Sequence, residues 1–135
     1  MGKINRPEPN QGKNITTSPS SSGSTNKLKP LFSFEYLVQT HSVEACEHDD
    51  RAALAVQLSK IGCMTWAEIQ NAPKHGLGHE KIAQNAIKKA LPPVVTPDVN
   101  LIAFRFSGKK PMIGFRSDQT FFILFLDRDF TVYNH

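Results

Sequence analysis

The C-terminal half gathers most of the side chains that could do chemistry: Lys74, His75, His79, Lys81, Arg105, Lys109, Lys110, Arg116, Tyr133 and His135. Metal-free cleavage of RNA asks for these residue types. A base must take the 2′-hydroxyl proton, cations must hold the phosphorane, and an acid must protonate the departing 5′-oxygen. On this reading Arg105, Arg116, Tyr133 and His135 are the candidate catalytic residues. Lys74, Lys81, Lys109 and Lys110 are the candidate RNA contacts, and the chemistry calls for no cofactor.

Other chemistries find less support. Cys46-x-His48 and Cys63 with His75 and His79 invite a zinc reading, but the spacings match no compact finger and only two thiolates exist. No metal site is expected, and both cysteines are expected to be buried structural thiols. Gly76-Leu77-Gly78 reads as a loop and not as a phosphate-binding motif. Asp127 and Asp129 flank Arg128 at a strand end, where a turn or salt-bridge role is favoured over acid–base work. A serine nucleophile has no elbow motif to support it.

The elements that must position these groups follow from periodicity. Leu31 to Val38 alternates and predicts a strand with Phe32, Phe34, Tyr36 and Val38 on one side. Leu54, Leu58 and Ile61 recur at helical spacing between Asp50 and Ile61, closed by Gly62. Thr65 and Glu68 have capping-box spacing for a short helix ending before Pro73. A third helix is predicted from His79 to Leu91, stopped by Pro92-Pro93. Three strands then follow, Leu101–Phe106, Met112–Arg116 and Phe121–Asp127, joined by turns at Gly108-Lys109 and Asp118-Gln119. The expected fold is α+β: an N-terminal strand, two to three helices, then a three-stranded antiparallel meander with the helices on one face.

Two-residue turns dictate a register. Arg105 pairs with Met112, Phe104 with Ile113, Arg116 with Phe121, Phe115 with Phe122 and Ile113 with Leu124. One face then carries the core, with Phe104, Phe115, Phe122 and Leu124 sharing it with Trp66 and Ile87. The other carries Arg105 and Arg116 beside Phe121, Ile123 and Phe125, a pairing of guanidinium and rings that RNA-binding sheets use. That face is either open or covered by part of the same chain.

Charge is unevenly spread over the 135 residues, which sum to +4. Residues 1–30 hold five basic residues against one acid and are rich in Ser, Thr, Asn and Pro. They are expected to be a disordered basic tail, leaving residues 31–135 as one domain. Residues 73–135 carry nine basic groups against five acids, which suits a local anion-binding face. No run of apolar residues is long enough to span a membrane, no secretory signal is visible, and a cytoplasmic location is expected.

Met64-Thr65-Trp66-Ala67-Glu68, and the ending from Ile113-Gly114-Phe115 through Phe122 to Asp127, Asp129 and Tyr133, resemble small bacterial and phage proteins of the RelE/ParE toxin type. The resemblance covers residues 31–135. It implies a strand, helices and antiparallel sheet, and a growth inhibitor that cleaves or binds mRNA on the ribosome without metal, held in check by a cognate antitoxin. Arg105 and Arg116 then fall where such toxins keep phosphate-binding residues, and Tyr133 near a catalytic tyrosine. The sequence departs from the pattern at Pro111 and Phe130, and no C-terminal helix follows Tyr133. The alternative is a non-catalytic, phage- or plasmid-encoded module that docks on a protein through its sheet face.

Overall fold

The computed structural model describes residues 25–73 and 79–134. They form an α+β fold built on one mixed five-stranded sheet. Strand β1 (Leu31–Ser33) leads through two 3-10 turns to helices α1 (His48–Ile61) and α2 (Trp66–Asn71). Then come β2 (Glu80–Ile82), β3 (Leu101–Ser107), β4 (Lys110–Ser117) and β5 (Thr120–Leu126). The sheet order is β1-β5-β4-β3-β2, with β1 parallel to β5 and the other pairs antiparallel. The expected meander is therefore the centre of a wider sheet.

The helices form where the local signals place them. Asp49 and Asp50 in the first turn of α1 and Lys60 in its last complement the helix dipole. In α2, Thr65 Oγ1 accepts from the Glu68 N–H at 3.2 Å while the Glu68 carboxylate accepts from the Thr65 N–H at 2.8 Å, a closed capping box. Both helices pack on one face of the sheet. Leu54, Ile61, Trp66 and Ile69 meet Phe104, Phe106, Met112, Phe121, Ile123 and Leu126 there.

The predicted third helix does not form. Residues 80–82 instead pair with β3, Glu80 opposite Ala103 and Ile82 opposite Leu101, and Gln84–Ala86 is a single 3-10 turn. Pairing with the open edge of β3 gives the backbone of Glu80–Ile82 the partners a helix would otherwise supply. It also frees the apolar residues to spread over a surface. Ile87, Leu91, Val94, Val95 and Val99 cover the second sheet face, with Val132 and Tyr133 from the C-terminus. Ile87 therefore lies across the sheet from Trp66, and not in one core with it.

Two irregularities set which residues share a face. The β3–β4 turn closes at Ser107 opposite Lys110, but Arg105 then faces Pro111 and Phe104 faces Met112, one position away from the two-residue-turn count. Phe106 is the extra residue, beside a proline that has no N–H to give the ladder. Between β4 and β5, Arg116 faces Phe121 and Phe115 faces Phe122 as expected, whereas Ile113 faces Phe125 and not Leu124. Gly114 makes this second shift possible, since a Cβ there would sit 2.0 Å from the Phe122 carbonyl oxygen. The spare carbonyl of Leu124 accepts from the Val38 N–H at 2.9 Å.

The N-terminal strand is shorter than its alternation suggests. The Ser33 hydroxyl accepts from the Glu35 N–H and the Leu37 N–H donates to the Phe34 carbonyl, so the chain turns after Ser33. Phe32 joins the helix side of the sheet, Tyr36 and Val38 the opposite side, and Phe34 is exposed. The domain also begins earlier than residue 31. Thr25 and Pro30 are buried, and the Leu28 and Asn26 carbonyls accept from the Trp66 and Ala67 N–H groups, each at 2.9 Å.

Candidate anion-binding cleft

Trp66 anchors the site. Its indole N–H donates to the Gln119 carbonyl at 2.8 Å, tying α2 to the β4–β5 turn, and the ring is fully buried. Arg116 lies over it, with the guanidinium carbon 4.3 Å from the ring centroid, close enough for a cation–π contact. Arg116 Nε donates to the Asp118 carbonyl at 2.6 Å and a terminal nitrogen donates to Thr25 Oγ1 at 3.0 Å. Burial pushes its pKa down and the Asp118 carboxylate partly opposes that. A guanidinium stays charged across the physiological range regardless.

Beside this pair opens a cleft of about 740 Å³. Val99, Ile102 and Phe115 give it apolar wall, and Trp66 lies beneath Arg116 at its floor. Its polar lining combines His79, Lys81 and Arg116 with the carboxamides of Gln70 and Asn100 and the carboxylate of Asp98. Lys81 reaches the cleft because β2 is a strand: Lys81 pairs with Ile102, another lining residue. The His79 ring centroid is 5.9 Å from that of Phe104. A hydrogen bond from Thr96 holds the Asp98 carboxyl below its ordinary range, so it is an anion at neutral pH. Cationic, amide and aromatic groups on one concavity can bind an anionic ligand that also has a flat apolar part.

The other predicted site residues are dispersed. Leu101 and Ala103 pack on the helix-free face, and alternation sends Arg105 to that same side, away from Arg116. The two arginines expected on one face therefore stand on opposite faces. Tyr133 is buried on the Arg105 side, and burial, with Glu80 and Asp127 adding to it, pushes its pKa up to about 12 against the opposing charge of Arg105. A proton held that tightly is poorly matched to base catalysis near neutral pH. Lys109 is exposed at the tip of the β3–β4 turn. Lys74 and His135 lie outside the described residues.

Lys110 is engaged elsewhere. Its Nζ donates to both Asp50 carboxylate oxygens at 2.9 and 3.0 Å, and Ser107 Oγ donates to one of them at 2.8 Å. Asp127 organises the C-terminal turn, accepting from the Thr131 N–H at 2.8 Å and the Val132 N–H at 3.0 Å, and Arg128 and Asp129 form a 3.6 Å ion pair. The turn and salt-bridge roles expected for this stretch are thus its observed ones. Cys46 is buried, but Cys63 is exposed and not the buried thiol expected. Among the described residues no three His, Cys, Asp or Glu side chains gather as metal ligands.

Sequence reasoning found His79, Lys81 and Arg116, took Trp66 for a core residue, and missed Gln70, Asp98 and Asn100. Gln70 sits at helical spacing from Trp66, a usable signal. Asp98 and Asn100 come from an irregular stretch that carries none. The fold thus defines an α+β protein with a basic, amide-lined cleft where β3 begins and β4 ends. No family model, curated protein or solved structure matches the chain. Among the described residues, no helix is long and apolar enough to cross a membrane.

Proposed function

We propose that this chain is an RNA-directed binding protein, acting on single-stranded RNA or on the ribosome, with the Trp66–Arg116 cleft as its contact surface. The observation that carries the reading is the convergence of His79, Lys81 and Arg116 on one concavity that also has apolar wall from Val99 and Ile102. Cations for phosphate and apolar surface for bases are the two requirements of single-strand recognition. Binding without cleavage is the form favoured, since Arg105, Arg116 and Tyr133 do not surround a common point. Kinship with RelE/ParE-type toxins, and with it growth inhibition restrained by an antitoxin, is part of the proposal. It is supported by the order of strand, helices and antiparallel strands. Docking of a protein through the sheet is not favoured, because both faces are covered by the chain's own described residues.

The test is fluorescence anisotropy with a labelled single-stranded RNA at graded salt. Saturable binding that weakens with salt is expected, and Lys81→Ala should lower the logarithmic salt slope by about one unit or less per lost phosphate contact. Absence of binding to RNA and to ribosomes at low salt overturns the reading.

A further inference from the structure

We propose that the cleft holds one nucleotide unit, base and phosphate together, a reading that rests on the RNA-binding role given above and specifies its ligand. At about 740 Å³ the cleft is of small-ligand size. A strand of RNA would enter it with one unstacked residue at a time.

The chemistry of the cleft is divided between apolar, amide, cationic and acidic groups. Val99, Ile102 and Phe115 supply apolar wall for a base. Gln70 and Asn100 bring carboxamides, which carry a donor and an acceptor together and so can read the edge of a base. Lys81 and His79 come from the β2 side and offer the phosphate contact. Asp98 is an ionised acceptor, suited to a sugar hydroxyl or an exocyclic amine and unsuited to a phosphate. A bare anion site would have no use for Asp98; a site with a donor-bearing ligand does.

Arg116 adds rigidity. Its hydrogen bonds to the Asp118 carbonyl and to Thr25 fix the guanidinium over Trp66, so the surface it shows the cleft is set before a ligand arrives. Guanidinium planes are stacking platforms for unpaired bases.

The single tryptophan makes the idea testable in the intact protein, because Trp66 lies directly under Arg116 at the cleft and no other indole competes with its signal. Trp66 fluorescence is titrated with the four nucleoside 5′-monophosphates, with ribose 5-phosphate, inorganic phosphate and a nucleoside as controls. At least one nucleotide should bind saturably, ten-fold or more tighter than ribose 5-phosphate. Lys81→Ala should weaken it at least five-fold with an unchanged melting temperature, and Gln70→Ala or Asn100→Ala should alter the order of preference among bases. Competition against labelled RNA separates the sources. A nucleotide that displaces RNA marks the cleft as a single-strand entry point, while nucleotide binding without any RNA binding marks a free-nucleotide site and overturns the RNA reading alone. If inorganic phosphate binds as tightly as the nucleotides, or if no nucleotide binds while RNA still does, the nucleotide proposal is overturned and the RNA reading stands.

Discussion

Lys110 and Asp50 join the β3–β4 hairpin to helix α1 through two hydrogen bonds from one ammonium group, at 2.9 and 3.0 Å. Asp50 is 4% exposed, so its carboxylate depends on these bonds and on the Ser107 hydroxyl. Burial alone would raise its pKa; the Lys110 and Ser107 hydrogen bonds and the Lys110 charge outweigh that and hold it below the ordinary value. The pair places a lysine in a structural role that its position in a basic cluster would not suggest.

The sign of the pH dependence follows. A carboxyl with a depressed folded-state pKa stabilises the fold above its unfolded value, and that contribution is lost as pH falls through the folded value. Melting temperatures should therefore decline as pH falls below about 4, the ordinary carboxyl value, and Asp50→Asn should lessen that decline. Lys110→Met should lower the melting temperature by several degrees at neutral pH, because it strips a buried carboxylate of its counter-charge and of two hydrogen bonds. An unchanged melting temperature in Lys110→Met would show that the pair contributes nothing.

Phe121 is fully buried with its ring 5.0 Å from that of Phe104, edge to face, whereas Phe122 is half-buried on the other side of the sheet. Phe121→Ala should cost about 3–5 kcal/mol in urea unfolding. Phe122→Ala should cost roughly 1–2 kcal/mol, in line with the smaller area it removes from water. The reverse ranking would contradict this assignment of faces.

Two glycines should respond differently to an added methyl. Gly108 has φ +58° with open space around it, so Gly108→Ala meets only the left-handed backbone penalty of about 1–2 kcal/mol. Gly114→Ala would drive its Cβ into the β5 backbone and should destabilise by about 3 kcal/mol, with loss of the β4–β5 register shift. Equal effects on denaturation would remove the close approach as the reason for glycine there.

Removing residues 1–24 should leave the melting temperature within a degree or two, as their Ser-, Asn- and Pro-rich composition offers little apolar surface to bury. A chain starting at residue 31 should lose several degrees, because it deletes the carbonyl acceptors for Trp66 and Ala67 and the Thr25 bond to Arg116. Circular-dichroism melts of the two truncations decide the point.

Tyr133 should resist ionisation until about pH 12, which alkaline absorbance titration of the two tyrosines would read, with Tyr36 also above its ordinary value. Between pH 10 and 12 the folded state keeps a proton that the unfolded chain has lost, so stability should fall as pH rises through that window. Tyr133→Phe should leave RNA affinity within about two-fold, since the phenol lies outside the cleft.

The amino-acid sequence by itself determined the pieces governed by local physics. Thr65 and Glu68 are near neighbours, so a capping box is legible from their spacing. Leu54 and Ile61 at helical period mark α1, and the turn residues at 108–109 and 118–119 place both hairpins. Tertiary structure decided what depends on partners far away in the chain. The stretch from His79 has a helical stripe, yet an open edge of β3 offers better backbone partners and the sheet's second face needs an apolar cover. Face assignment was decided there too. Strand alternation has a period of two, so the single extra residue at Phe106, next to a pairing with a proline that has no N–H to give, is enough to send Arg105 and Arg116 to opposite sides of the sheet.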